Sequence, residues 1–331
     1  MDDFAKLSPE NQRDAFMASA ATRGVLPVII EKDFWVCWSL RRLFEIKDQI
    51  GTRMVFKGGT SLSKVWNLID RFSEDIDISL HQEDLGYKPE PGQSKKKENK
   101  AIEHLDHQCQ ARVQGVVLPA LLKTYRATLG HSNFQLMVDP QDSQSLVFRY
   151  PSSLPNQSGY LAQQVKLEFG ARSEHWPTED QTIRPYVAID LPQVAVSAEV
   201  PVKVVKAERT FLDKVLILYT FHHWPPEKPL NDRQSRHYYD VYRLFPTEVG
   251  ERAVNDRELF EKVVDHQIKF FFRSWAKYDL AKRGAIRLAP SSNLLPLLEK
   301  DYEAMTEMIF GEIPSFQSIL DCLRELEQAM N

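Results

Sequence analysis

The spacing of apolar residues changes period several times along this chain, and each change predicts an element. Residues 9–48 read as helical: between Glu31 and Phe44 the apolar positions Val36, Leu40, Leu43 and Phe44 recur at helical intervals. Residues 53–57 form a short strand that ends at Gly58-Gly59. Leu62, Val65, Trp66 and Ile69 then make one stripe of a helix over residues 61–69. A second strand follows, and because residues two apart share a strand face, Asp75 and Asp77 point one way and Ile76 and Ile78 the other. Residues 86–100 are rich in glycine, proline and lysine and predict a flexible polar loop, with a helix from about 101 to 128 beyond it. Strands are expected at 134–138, 145–150, 163–169 and 186–189, with 202–205 as one more. From residue 207 the pattern is helical to the end, with helices at 207–222, 234–245, 255–273, 296–309 and 315–329. The expected fold is α/β: a mixed sheet flanked by helices over residues 1–206, then a mainly helical domain over 207–331 that closes an active-site cleft.

Composition narrows the classes. At 331 residues the chain is long enough for two domains. Its formal net charge of −4 excludes a globally basic nucleic-acid binder, so contact with nucleic acid has to come from local patches. Cys37, Cys109 and Cys322 are odd in number and widely spaced, which suggests neither a disulfide framework nor a zinc site and favours a reducing setting. No apolar run approaches the roughly 20 residues of a membrane span. The opening Met1-Asp2-Asp3-Phe4 has no apolar signal region. A cytoplasmic protein without a membrane partner is expected.

The densest chemistry lies in Lys57-Gly58-Gly59-Thr60-Ser61 and Ser73-Glu74-Asp75-Ile76-Asp77. Glycines at a strand-to-helix turn let backbone approach a phosphate, and the helix N–H groups with the Thr60 and Ser61 hydroxyls can donate to it. The spacing is not that of a Walker A loop. Two carboxylates converging beside such a turn suit a Mg²⁺ ion, with Mn²⁺ as the alternative, that holds a nucleoside triphosphate. Glu74 falls on the opposite face and reads as a rim charge. Arg71 and Ser73 share the Asp75 face and could orient its carboxylate. A third carboxylate usually completes such a site; Glu168 on a neighbouring strand is the first candidate and Asp190 the second.

These segments, with Thr210-Phe211-Leu212-Asp213-Lys214-Val215 and Arg236-His237-Tyr238-Tyr239-Asp240-Val241-Tyr242, resemble the AbiEii/AbiGii nucleotidyltransferase toxins, a family of the DNA polymerase β-like nucleotidyltransferase superfamily. The resemblance runs over about residues 30–290. Fifteen residues separate Gly59 from Asp75, more than in the compact form of the superfamily. It implies a nucleotidyltransferase-like sheet and Mg²⁺-dependent transfer of a nucleoside monophosphate from an NTP to an acceptor hydroxyl, on RNA such as tRNA. It further implies the toxin of a toxin–antitoxin or phage-defence system, with a cognate antitoxin. Gly59 and Ser61 would bind the triphosphate, Asp75 and Asp77 the metal, and Lys214 the nucleotide phosphates, with Asp240 as a further active-site acid. From the residues alone, Lys214 sits at the edge of an apolar arc, where it either crosses toward phosphate or snorkels to solvent. Asp240 lies on the polar side of its helix between Arg236 and Arg243.

Two basic stretches are candidates for holding RNA: Lys95-Lys96-Lys97, and residues 269–287, where Lys269, Arg273, Lys277, Lys282, Arg283 and Arg287 alternate with Phe270, Phe271, Phe272, Trp275 and Tyr278. Most of these aromatics read as core. The histidines form no metal box; His222, His223 and His237 read as structural. Two competing functions stand beside the transferase: a nucleotide-sugar glycosyltransferase using Asp75-Ile76-Asp77, and a non-catalytic relative that binds RNA or protein.

Overall fold

A computed structural model describes residues 1–88, 92–131, 133–155, 162–194, 197–281 and 285–331. They form two compact units, one comprising Met1–Val65 with Ser73–Val205, the other Trp66–Phe72 with Lys206–Asn331.

The first unit opens with α1 (Asp2–Ala5), α2 (Pro9–Arg23), α3 (Pro27–Glu45) and α4 (Lys47–Ile50), then β1 (Met54–Lys57), α5 (Gly58–Lys64) and β2 (Ile76–Leu80). A long helical stretch follows: α6 (Lys95–Arg112) passes through a π turn at Val113–Val117 into α7 (Leu118–Leu129). Next come β3 (Gln135–Asp139), β4 (Asp142–Arg149), β5 (Val165–Gly170), β6 (Thr178–Ile183), α8 (Tyr186–Asp190) and β7 (Val200–Val205). The seven strands make one mixed sheet in the order β3-β4-β5-β2-β1-β7-β6. Its two central neighbours meet differently: β2 runs antiparallel to β1 and parallel to β5.

α3 is the core helix of this unit. Its run from Val28 to Leu40 is buried on every side, the pattern of a helix covered all round by protein. Trp35 and Trp38 pack against Phe148 of β4 at 5.8 and 5.9 Å between ring centroids, and Trp38 meets Tyr125 of α7 at 4.6 Å. Large aromatic rings bury much area per side chain, so this cluster fixes α3 against one face of the sheet.

Several expectations are corrected. The helix predicted over 61–69 ends at Lys64, because Asn67 takes a left-handed φ of 51° and the chain then runs extended. That extended piece pairs inside the second unit: Phe72 donates its N–H to Met308 O at 2.8 Å, and Phe310 donates to Asp70 O at 2.7 Å. Residues 186–189 are helix α8, not a strand; Pro185 before Tyr186 sets a helix start, and the strand of this region is β6, whose polar sequence hid it. Lys95-Lys96-Lys97 form the first turn of α6, capped by the Ser94 hydroxyl, and not a flexible loop.

The second unit is helical: α9 (Ala207–His222), α10 (Ser235–Leu244), α11 (Glu248–Asn255), α12 (Arg257–Phe270), α13 (Leu295–Met305) and α14 (Phe316–Met330). The helix expected over 255–273 is α12, starting after Asp256, whose side chain caps it by accepting from the Leu259 N–H; α11 before it was not expected. Phe211, Leu212, Val215 and Leu218 of α9 are fully buried and form the centre of the unit. Among the described residues no helix is long and apolar enough to cross a membrane.

Candidate active site

The strand expectation at the two aspartates holds locally: Ser73, Asp75 and Asp77 are partly exposed, while Phe72, Glu74, Ile76 and Ile78 are buried. Asp75 lies one residue before β2 and Asp77 inside it. Asp77 sits in register with Lys57 of β1 on one side and Glu168 of β5 on the other. Neighbours in register share a face, so Lys57, Asp77 and Glu168 form a polar row across the centre of the sheet. Lys57 Nζ is 4.0 Å from Asp77 Oδ1.

The glycine turn closes on this row. Gly58 has φ +80°, and a Cβ built there would lie 2.0 Å from Asp77 Oδ2 and 2.7 Å from its Cγ. Only glycine fits both the dihedral and the space. Thr60 then ties helix to strand: its hydroxyl is 2.5 Å from the Asp75 carbonyl oxygen and 2.9 Å from Ser73 Oγ. Ser61 turns its hydroxyl back to Gly58 O at 2.8 Å, which braces the turn itself.

Three successive charges of α3 hold the surrounding segments, and sequence reasoning missed this. Glu31, Lys32 and Asp33 are 0%, 3% and 1% exposed. Glu31 accepts from the Ser152 hydroxyl and the Ser153 N–H, both at 2.7 Å. Lys32 is ion-paired with Glu74, so Glu74 is not a rim charge: it lies on the buried face and needs a cation there. Asp33 pairs with Lys64, the last residue of α5, at 2.7 Å, and accepts the Tyr186 N–H at 2.6 Å. The signal was available: three adjacent charges within Val28–Leu40, a run otherwise apolar but for Ser39, point to buried partners.

Glu168 and Asp190 fare differently as third carboxylates. Glu168 keeps the same face and register as Asp77, but its carboxylate meets Lys166 at 2.7 Å. Asp190 is on α8, held by Arg23 at 2.6 and 2.8 Å and by Ser19 at 2.6 Å, a latch between helices and not a strand ligand. Among the described residues no three His, Cys, Asp or Glu side chains are gathered closely enough to hold a metal by themselves. Asp75 and Asp77, both partly exposed, are the carboxylates here that could hold a hard divalent cation together with oxygens from a substrate.

In the second unit, Asp240 is wholly buried, not on a polar face of its helix, and its ion pairs are with Arg71 and Lys214 instead of Arg236 or Arg243 of its own helix. Arg71 grips it through two bonds of 2.7 and 2.8 Å, and Lys214 adds a third of 2.7 Å. Burial alone would raise the Asp240 pKa; the Arg71 and Lys214 charges overcome it and hold the carboxyl well below the usual range. Burial pulls Lys214 the other way, lowering its pKa. Arg243 pairs with Asp70. His237, buried beside this group, is kept neutral by burial first and then by the Lys214 and Arg236 charges.

Of the basic candidates, Lys95, Lys96 and Lys97 are exposed. Arg273 and Lys277 are exposed on the turns after α12, Phe270 and Tyr278 are core, and Phe272 is 59% exposed. Lys282 and Arg283 lie outside the described residues.

Among solved structures the chain is similar to MenT4, a nucleotidyltransferase toxin from Mycobacterium tuberculosis H37Rv, at 19% identity and a TM-score of 0.45, covering 96% of this chain and 97% of that one. It is also similar to JHP933 from Helicobacter pylori, at 15% identity and a TM-score of 0.30, covering 89% and 96%. No curated protein matches it in sequence. The sequence profile described as "Nucleotidyl transferase AbiEii toxin, Type IV TA system" matches residues 41–322, which span the glycine turn, both aspartates, Lys214 and Asp240. The chain belongs to the AbiEii nucleotidyltransferase toxin family, whose setting is a toxin–antitoxin system.

Proposed function

We propose that this protein moves a nucleoside monophosphate from an NTP to an acceptor hydroxyl on RNA such as tRNA, in a Mg²⁺-dependent reaction in the cytoplasm, and that its role is that of a toxin checked by an antitoxin or deployed against phage. The observation that carries this reading is the fit of Gly58 against Asp77, which packs the glycine turn directly against the second aspartate.

Asp75 and Asp77 would hold the metal, which when bound neutralises triphosphate charge and polarises the α-phosphate. The Gly58-Gly59 backbone lets the triphosphate approach, and Lys57, on the same polar row as Asp77, adds positive charge. Thr60, through its bonds to Ser73 and the Asp75 carbonyl, keeps turn and carboxylates at a fixed separation. The acceptor oxygen attacks the α-phosphorus in line, the bond to pyrophosphate breaks, and the acceptor proton passes to a base. Glu168, one strand from Asp77 and in register with it, is our candidate for that base or for a third metal ligand once Lys166 releases it. Asp240 controls how readily Lys214 gives its ammonium to a phosphate, since the two are paired.

The test is transfer of label from each radiolabelled NTP to total cellular RNA. Asp75→Asn and Asp77→Asn are each expected to lower transfer by at least about 100-fold, in line with loss of charge stabilisation at a phosphoryl group, with an unchanged thermal melt. Retention of transfer by both variants would overturn the assignment.

A further inference from the structure

A second cluster, in the helical unit, plays no part in the chemistry above. Trp224, in the loop after α9, and Trp275, in the turns after α12, meet edge to face with ring centroids 5.0 Å apart. Lys228 Nζ stands 4.2 Å from the Trp224 ring centroid and 4.6 Å from that of Trp275. The Arg273 guanidinium lies 5.7 Å from the Trp275 ring on the same cluster. Both indoles are half-buried and Arg273 is exposed.

Fold stability accounts for only part of this. Trp224 closes its own loop by donating Nε1–H to Lys228 O at 3.0 Å. That bond explains one edge of one indole. It does not explain two cations gathered over aromatic faces when, among the described residues, neither has a carboxylate partner. Glu227 and Asp279, the acids of the same two loops, neutralise neither of them. Arg273 and burial together depress the Lys228 pKa, burial being the larger cause, so an anion entering here would relieve like-charge repulsion. Half-exposed π-faces flanked by unneutralised cations are the chemistry of single-stranded polynucleotide binding: a base stacks on the aromatic ring and its neighbouring phosphate meets the cation. A duplex hides its base faces and cannot use the indoles.

We infer that Trp224, Trp275, Lys228 and Arg273 form a stacking platform that holds an unpaired segment of RNA. The choice of RNA among polynucleotides rests on the transfer reaction proposed above; the platform itself rests on the cluster alone.

Fluorescence anisotropy of a fluorescein-labelled oligouridylate with the full chain tests this. Wild type should bind the single strand, and bind it more tightly than the same strand annealed to oligoadenylate. Trp275→Ala should weaken binding at least about fivefold, the scale of one lost base stack. The double variant Lys228→Gln/Arg273→Gln changes only side chains at the surface of the loops. It should weaken binding and flatten its dependence on the logarithm of salt by about 1.4, as two lost phosphate contacts on a single strand require. Absence of single-strand binding by wild type, equal binding by both variants, or equal affinity for the duplex would overturn the inference. Asp77→Asn should bind the oligonucleotide as wild type does. Binding that depends on Trp275 in a protein with no transfer activity would remove the reaction and leave the platform standing.

Discussion

The Asp77 carboxylate occupies the space where any residue other than glycine at position 58 would carry its Cβ. The turn and the strand are thus a single packed unit, and the positive φ of Gly58 is imposed by that packing as well as by the turn. Gly58→Ala is expected to cost roughly 1–3 kcal/mol through the strained dihedral and to swing Asp77 away from Asp75. Transfer should fall at least about 100-fold, a loss greater than the stability change accounts for, because one carboxylate leaves the position from which it holds charge. Urea unfolding alongside labelled-nucleotide transfer checks both; a variant with wild-type transfer would show that the fit is not required.

Asp240 and Lys214 make an asymmetric pair. Asp240→Ala leaves Arg71 and Lys214 buried without their anion, and the loss of one partner from a buried charge group costs about 3–5 kcal/mol. Lys214→Met leaves Asp240 still doubly bonded to Arg71, so its cost in the same urea measurement should be clearly smaller. Its effect on transfer should be the larger of its two effects if the ammonium serves phosphate. Because Asp240 is held below the ordinary carboxylate range, its stabilisation is complete above about pH 4 and is lost as pH falls through strong acid. Equal destabilisation by the two variants would contradict the asymmetry.

His175 supplies a pH dependence at milder acidity. It meets His81 at 4.8 Å between rings and Ser79 Oγ at 3.2 Å. Burial first, then the His81 and Arg53 charges, lower its pKa from 6.5 to about 4. The unfolded chain therefore takes up this proton before the folded one does. The contribution of His175 to stability is full above about pH 6.5 and declines as pH falls toward 4. Urea midpoints measured across that window should drop more steeply for wild type than for His175→Gln, and parallel curves would refute the shift.

Much of this was legible in the sequence where period and burial agree. Asp75-Ile76-Asp77-Ile78 alternates in sequence and alternates in exposure, and Lys57-Gly58-Gly59 is a strand ending in a turn in both. The family resemblance read from four short segments is upheld by the match over residues 41–322. What stayed hidden is long-range pairing of charge. Nothing local marks Arg71 as the partner of Asp240, 169 residues away. Glu74 resembles a solvated strand charge until Lys32 is placed against it. β6 was missed because Thr178-Glu179-Asp180-Gln181-Thr182 is polar on both faces; it pairs at the edge of the sheet, where backbone bonds to β7 hold it more than burial does. Tyr186-Val187-Ala188-Ile189 read as a strand because four residues are too few to separate a strand from one helical turn.

The three adjacent charges of α3 carry a consequence for how activity is lost. Successive residues on a helix point in directions about 100° apart, so Glu31, Lys32 and Asp33 reach three different segments at once. Two of those segments bear the glycine turn and the aspartate strand, through Lys64 and Glu74. Sliding or rotating α3 by one residue would strand all three charges among apolar neighbours. The helix is thus keyed like a lock with three wards, with a single seating in which every charge is met. A denaturant that loosens it should unseat both halves of the site together, so that activity and fold disappear in one transition.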